Sequence, residues 1–304
     1  MSMTFADSTG LLTEPTALRK RLDRDSCLFF HGLLSPAEVG RVRNDVLAIL
    51  EDKGWLRPGS PRSEAWPGSK VVREGDDAWW PVYKAVQSLE TFHRLAHNPK
   101  LIGLAAALLS VGKRQVLVHP RKIARVAFPA SAFPTPPHQD FPLIQGSTDT
   151  LTAWVPLGEY GPAFGGLRVL LGSHRKGLRP TRPAHGVGGV GVSADLDDEH
   201  WATASYTLGD VLMFHSLSVH WAPENRAERL RLSCDYRYQS ATEQVAASSL
   251  RPHFWPRLPD WPELTSKWRT SRWVDVRALV NVTPQEPLEG LEAPATKLVS
   301  TGGQ

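Results

Sequence analysis

The residues best suited to chemistry lie in the segment 136–140, which reads PPHQD. In an extended chain residues i and i+2 point the same way, so His138 and Asp140 would present an imidazole and a carboxylate to one point. The prolines in front favour an extended backbone. This donor pair suits Fe(II), Mn(II) or Zn(II). A His-x-Asp sequence also occurs by chance, as a loop histidine beside a capping aspartate, so a metal site requires a third donor.

The segment 209–220, GDVLMFHSLSVH, supplies two candidates for that donor. Asp210 opens an apolar strand, and His215 and His220 follow, five residues apart. On one regular strand an odd separation places two side chains on opposite faces, so only one of them should reach the metal. Two imidazoles and one carboxylate on one side of an iron leave the opposite side open for a 2-oxoacid and O₂.

Arg231 stands inside an apolar strand, eleven residues beyond His220. An arginine in such a strand is costly unless a carboxylate meets it. Ser233 shares its face by the period of two, and a guanidinium beside a hydroxyl suits the distal carboxylate of a bound diacid. The alternative is an ion pair within the protein, for instance with Asp235.

The elements that must position these residues change in type along the chain. Residues 15–110 are predominantly helical, whereas 113–240 consist of short strands separated by Gly/Pro turns, and 245–304 form a tail rich in Pro and Trp. This order predicts a single α+β domain over 1–304, with a sandwich or barrel as its second part. In the first part we expect four helices and one strand, namely helices over about 15–25, 35–52, 79–97 and 99–110 and a strand over 27–33.

The composition excludes several classes of protein. The 304 residues carry a formal charge of +4 without a Lys/Arg run, so no nucleic-acid partner is expected. Two distant cysteines, Cys27 and Cys234, cannot form a disulfide framework, which favours a reducing cytoplasm. The N-terminus does not read as a signal peptide, and no apolar stretch approaches the roughly 18 residues of a membrane helix.

In their order, these segments resemble the phytanoyl-CoA dioxygenase family over roughly residues 20–240. The resemblance rests on the His-x-Asp pair, 151–157 (LTAWVPL), 165–174 (GGLRVLLGSH) and the Gly-Asp…His…Arg-Leu-Ser sequence of 209–233. It implies a double-stranded β-helix, or jelly-roll, core flanked by N-terminal helices. It also implies an Fe(II)-dependent dioxygenase that uses 2-oxoglutarate and O₂ to hydroxylate a small organic substrate.

The resemblance also assigns roles to six residues. Matched by position, the iron ligands are His138, Asp140 and His220. The 2-oxoglutarate contacts are Arg231, Ser233 and Trp154. Lys122 and Arg125 are candidates for further contacts with 2-oxoglutarate, while substrate residues and oligomeric state cannot be transferred. Because halogenating relatives carry a small residue in place of Asp140, its presence indicates hydroxylation, although desaturation or another oxidation uses the same oxidant.

Two other classes of function remain open. One is a metal-binding barrel that needs no 2-oxoglutarate, such as a cupin-like isomerase, in which Arg231 would have no role. The other is a catalytically silent relative that binds a small molecule, in which an intact set of buried charges would be unexplained.

Several further residues are expected to be structural. His174 follows a turn glycine and should bond locally, and His215 should lie in the core or behind the site. His93 and His97 are expected on an exposed helix face. The tail tryptophans are interpreted as packing anchors, or alternatively as walls of a substrate pocket; they are Trp255, Trp261, Trp268 and Trp273.

Overall fold

The computed structural model describes residues 3–193, 196, 200–276 and 281–286. Its helices are α1 (Pro15–Asp25), α2 (Pro36–Asp52), α3 (Trp79–Gln87), α4 (Glu90–Leu95), α5 (Pro99–Leu109), α6 (Phe141–Ile144) and α7 (Trp261–Leu264). Its strands are β1 (Met3–Thr4), β2 (Cys27–Phe30), β3 (Val116–Val118), β4 (Ile123–Ala127), β5 (Thr135–His138), β6 (Leu151–Pro156), β7 (Arg168–Leu170), β8 (Thr181–Pro183), β9 (Val190–Val192), β10 (Trp201–Thr203), β11 (Val211–His215), β12 (His220–Ala222), β13 (Arg231–Ser240), β14 (Gln244–Ala246) and β15 (Asn281–Thr283).

Two larger sheets, antiparallel except for the β1–β10 pair, form the centre of the protein. One has the strand order β1-β10-β7-β12-β5, and the other has the order β2-β11-β6-β13-β3, with β4 also paired to β13. The α+β class is therefore confirmed. The strand expected over 27–33 is present as β2, and β1 and β2 from the N-terminal part each form an edge of one of the two sheets.

The alternation of side chains gives the six-stranded sheet two different faces. Phe29, Trp154 and Leu212 belong to one apolar cluster with Val169 and Ala222 of the five-stranded sheet, so this cluster lies between the sheets. The alternate residues of the same strands, which include Leu28, Ala153 and Met213, share a second cluster with helix residues such as Val42 and Leu104. One face of the six-stranded sheet thus faces the other sheet, and the opposite face is covered by helices.

The long strand β13 shows the same alternation with polar residues. Leu232, Cys234, Tyr236 and Tyr238 belong to the cluster that includes the helices. The intervening residues, Arg231, Ser233, Asp235 and Arg237, are all buried and occupy the alternate face by the period of two. One strand therefore carries a row of buried charged and hydroxyl groups into the space between the sheets.

The C-terminal tail packs over the helices in the described residues. The single helix expected over 79–97 is divided at Ser88 and Leu89 into α3 and α4. The exposed helix face expected for His93 is wrong: the side chain is fully buried, and the rings of Trp261 and Trp268 lie 5.5 and 4.8 Å from its ring.

Trp273 completes this packing. Its indole donates to Glu90, and its carbonyl accepts a 3.0 Å hydrogen bond from Nε2 of His97. Trp261, Trp268 and Trp273 are thus packing anchors, as interpreted, while Trp255 is half exposed. Among the described helices, none combines the length and apolar character needed to cross a membrane.

Candidate active site

Strand pairing brings two of the predicted histidines together. His138 ends β5 and His220 begins β12, and these two residues are direct partners in the antiparallel pair. Their ring centroids lie 4.2 Å apart. His138, Asp140 and His220 each offer a donor atom within 4.8 Å of the others, and all three are buried. The arrangement could hold one metal ion.

The backbone that places Asp140 differs from the extended one expected from sequence. Asp140 lies beyond the end of β5 with φ −70° and ψ −35°, and α6 follows directly. A helical turn, rather than the pleat of a strand, brings its Oδ1 to 4.0 Å from Nε2 of His138. The expected extended geometry is wrong at this residue, although the two side chains do meet.

His215 lies elsewhere because the two downstream histidines belong to different sheets. It ends β11 in the six-stranded sheet, and a turn separates it from β12. The expectation that His215 and His220 point to opposite faces of one strand therefore does not apply, because they lie on different strands. Nε2 of His215 lies 3.6 Å from Asp149, and its ring lies 5.3 Å from His174. The structure brings His220, and not His215, to the cluster with His138.

Hydrogen bonds fix the tautomer of both imidazoles in the cluster. Nδ1 of His138 donates to the Pro136 carbonyl at 2.8 Å, and Nδ1 of His220 donates to the Ser218 carbonyl at 2.9 Å. Each Nε2 therefore carries a free lone pair, the form that binds metals. Burial, helped by His220, lowers the pKa of His138 to about 3, and burial likewise lowers the pKa of His220.

Two residues that sequence reasoning missed hold the carboxylate of Asp140. Nε and Nη2 of Arg237 donate to its two oxygens at 3.3 and 2.9 Å, and the Thr152 hydroxyl donates to Oδ2 at 2.6 Å. Burial by itself would raise the pKa of Asp140. The charge of Arg237 and the neighbouring imidazoles together have the larger effect, and they hold this pKa well below its usual range. Arg237 is six residues from Arg231 and Thr152 is two residues from Trp154, on the same strands. Because both separations are even, strand alternation would have placed Arg237 and Thr152 on the faces of the predicted site residues.

The three donors line a cavity between the two sheets. Its walls include Trp154, Arg231 and Ser233, the residues expected at 2-oxoglutarate. One Nη of Arg231 donates to the Gly165 carbonyl, but its buried Nε has no hydrogen-bond partner among the described residues. Burial lowers the pKa of Arg231 only to about 10, so it stays charged at neutral pH. A carboxylate in this cavity would satisfy it.

An ion pair with Asp235 was the alternative role of Arg231. In the described part of the chain Asp235 pairs with Arg125 instead. Its Oδ2 lies 3.3 Å from Nε of Arg125, whose Nη1 lies 3.1 Å from Glu74. Arg125, one of the two further candidates, therefore lines the cavity while held by two carboxylates. Because Asp235 is occupied by Arg125, the guanidinium of Arg231 remains available to a ligand.

The candidate contact of Lys122 with 2-oxoglutarate is wrong. Lys122 and Arg125 are three residues apart, an odd separation that directs them to opposite faces. Lys122 is fully buried, and its Nζ donates to the Trp273 carbonyl at 2.9 Å. Burial lowers its pKa to about 7. It is bonded to the C-terminal tail and does not line the metal cavity.

Comparison with known proteins places the chain in a family. The sequence profile of Phytanoyl-CoA dioxygenase (PhyH) matches residues 22–233. The 1-deoxypentalenic acid 11-beta-hydroxylase of Streptomyces exfoliatus is 34% identical over 267 residues, which cover 83% of this chain and 90% of the relative. The Streptomyces arenae enzyme of the same name is 25% identical over the same shares of the two chains.

Solved structures share the fold at lower identity. The epimerase SnoN, in complex with Fe³⁺, alpha ketoglutarate and nogalamycin RO, is 23% identical with a TM-score of 0.55, over 77% of this chain and 86% of SnoN. The apo non-heme monooxygenase ThoJ is 16% identical with a TM-score of 0.57, over 90% and 89% of the two chains. The chain belongs to the phytanoyl-CoA dioxygenase family, and it is an enzyme of the Fe(II)/2-oxoglutarate-dependent dioxygenase class.

Proposed function

We propose that His138, Asp140 and His220 bind one Fe(II) and that the enzyme hydroxylates an unactivated C–H of a small organic metabolite. In this proposal 2-oxoglutarate occupies the cavity beside the metal, with its distal carboxylate on Arg231 and Ser233 and with Trp154 against it. The observation that carries the proposal is the buried, partly unpaired guanidinium of Arg231 in the same cavity as three metal donors. Iron bound there supplies C–H oxidation by O₂, coupled to conversion of 2-oxoglutarate to succinate and CO₂.

The protein's own contribution is to orient groups and exclude water. The backbone carbonyls of Pro136 and Ser218 keep both imidazoles in the ligating tautomer. Trp154, Leu167 and Phe214 wall the cavity with apolar surface, which strengthens the contact between Arg231 and a carboxylate. A bidentate contact there would also fix which end of the co-substrate faces the metal.

The finer description of the fold supports the same function. We interpret the two facing sheets as the double-stranded β-helix, or jelly roll, of this class of oxygenase. The interpretation is supported by the strand orders, by the apolar cluster shared by the sheets and by the position of the donors between them.

A second cavity is the proposed site of the organic substrate. It is partly open to solvent and shares Arg125, Thr135 and Arg231 with the metal cavity, so a molecule there would lie next to the proposed iron site. Its walls combine apolar side chains, such as Val72, Trp79 and Phe128, with charged ones, such as Arg73 and Glu224. Several polar groups on these walls are already paired, for instance both donors of Asn225. This lining suits a metabolite that combines apolar surface with polar groups.

Filling the second cavity should separate substrate binding from co-substrate binding. Val187 lines this cavity but not the metal cavity, so Val187→Trp is expected to reduce substrate-dependent succinate formation at least about tenfold by steric exclusion. Affinity for 2-oxoglutarate, followed by the absorption of the Fe(II)–2-oxoglutarate complex, should stay within about twofold. Full substrate-dependent turnover in this variant would place the substrate elsewhere.

The reaction class itself is tested by succinate. Purified enzyme with Fe(II), ascorbate and 2-oxoglutarate should form succinate faster when a metabolite extract is added, with a matching gain of one oxygen atom in a metabolite. A cupin-like isomerase would convert a metabolite without 2-oxoglutarate, and a silent binding protein would form no succinate under any condition. Either result would overturn the proposed reaction.

The remaining assignments concern the setting of the enzyme. We propose a small-molecule substrate rather than a nucleic acid, because the three donors are buried and the sequence carries no Lys/Arg run. A reducing cytoplasm is supported by Cys27 and Cys234, which are both buried free thiols.

A further inference from the structure

We propose that Arg237 and Thr152 form a preformed anion cradle that positions the carboxylate of Asp140 as a metal ligand. The inference rests on the proposed metal site and concerns how the carboxylate is held there. Neither residue belongs to the six that the family resemblance assigned.

The cradle contacts both oxygens of the carboxylate. Arg237 donates to Oδ1 at 2.9 Å and to Oδ2 at 3.3 Å, and Thr152 donates to Oδ2 at 2.6 Å. Oδ2 thus accepts two hydrogen bonds, whereas Oδ1 accepts one and lies 4.0 Å from Nε2 of His138. This geometry leaves Oδ1 as the oxygen directed at the metal position. A carboxylate that ligates through one oxygen leaves more positions free for 2-oxoglutarate and O₂.

The cradle belongs to two hydrogen-bonded strands of the six-stranded sheet. Arg237 on β13 and Thr152 on β6 are direct partners across adjacent antiparallel strands, and both are buried. Asp140, by contrast, lies in the turn between β5 and α6, outside the strand pairing. The carboxylate is therefore carried by a turn but oriented by two neighbouring sheet strands, which restrict its rotation.

The charge balance explains why the cradle suits an anion. The side chains of Arg237 and Asp140 are only 4% and 3% exposed, and their separation is 2.9 Å. A buried guanidinium needs an anionic partner, so removing the carboxylate leaves Arg237 uncompensated. An unattached small carboxylate, such as formate, would find the same three donors in a variant that lacks the Asp140 side chain.

The first test measures metal affinity with Co(II), which reports its coordination by visible absorption. Arg237→Gln should weaken Co(II) binding about 10- to 100-fold, as loss of a group that orients a ligand typically does. Thr152→Val should weaken it about three- to tenfold through loss of one hydrogen bond. The matched control is Thr150→Val, which removes a buried hydroxyl whose hydrogen bond goes to the Ser147 carbonyl and not to Asp140. It should change Co(II) affinity less than twofold.

The second test asks whether the cradle can hold an anion that is not part of the chain. Asp140→Gly should bind Co(II) weakly. Adding formate at tens of millimolar should raise the Co(II) affinity of this variant at least about tenfold. In the double variant Asp140→Gly/Arg237→Gln, formate should restore none. A merely structural role of Arg237 would give no such dependence on formate, and melting temperatures of the metal-free variants identify any that fail to fold.

The outcomes separate this inference from the proposed function. If wild type and His138→Ala bind Co(II) alike, the metal site itself is wrong. If wild type binds Co(II) at the three donors but Thr152→Val and Arg237→Gln bind it equally well, only the cradle is wrong. Equal formate rescue with and without Arg237 would also overturn it. Should Arg237→Gln fail to fold, Arg237→Lys and Thr152→Val carry the same comparison.

Discussion

Replacing His138 or His220 with alanine is expected to reduce bound iron from about one per chain to a small fraction of that value. Each change removes one of three protein donors, and the other two cannot complete the facial arrangement that retains Fe(II). The two imidazoles are direct strand partners, and within the described part of the chain they are the histidines grouped with Asp140. Iron content after anaerobic reconstitution and desalting measures the effect.

His215→Ala is the matched control for this prediction. It removes an imidazole five residues from His220, but one that ends a strand of the other sheet and lies 3.6 Å from Asp149. Iron content should therefore remain at the wild-type value. Full iron occupancy in both His138→Ala and His220→Ala would contradict the site, and loss of iron in His215→Ala alone would show that the distal ligand was misassigned.

Local sequence patterns predicted the parts of the fold that depend on neighbouring residues. The helix expected over 15–25 matches α1, and the helix expected over 35–52 matches α2. Strand alternation predicted that Arg231 and Ser233 share a face, and both line the cavity. These features follow from backbone periodicity and end effects, which are encoded within a few residues.

Contacts between distant segments were not predictable in the same way. Whether His93 is exposed depends on Trp261 and Trp268, which lie more than 160 residues further along the chain. The carboxylate of Asp140 is held by Arg237, and the two residues are separated by 97 positions. No local period connects such residues, although the alternation along β13 already placed Arg237 on the face of Arg231.

The second large effect is expected at Arg231, and it distinguishes a 2-oxoglutarate oxygenase from any other metal enzyme with this fold. Arg231→Ala should raise the apparent KM for 2-oxoglutarate by roughly 30-fold to several thousand-fold. The estimate follows from about 2–5 kcal/mol for truncating one partner of a desolvated charge pair. Iron content should be retained, because Arg231 is not among the three donor residues. Initial rates of succinate formation at varied 2-oxoglutarate give the apparent KM.

Two comparisons isolate the contact between Arg231 and the distal carboxylate. Arg231→Lys should recover only part of the affinity, because an ammonium keeps the charge but cannot reproduce the planar fork. Pyruvate, a 2-oxoacid without a distal carboxylate, should be a poor co-substrate for wild type and should lose little further in Arg231→Ala. The alanine variant also loses the hydrogen bond to the Gly165 carbonyl, so a melting temperature is needed to exclude a general loss of structure.

An unchanged KM for 2-oxoglutarate in a folded, iron-containing Arg231→Ala would place the co-substrate outside the cavity between the sheets. The buried Nε of Arg231 would then need another explanation, since an unpaired donor on a buried charge costs free energy in the resting protein. A site that keeps such a group charged and partly unsatisfied is prepared for an anion. The combination of three metal donors with this one guanidinium in a single cavity is therefore the feature on which the co-substrate assignment depends.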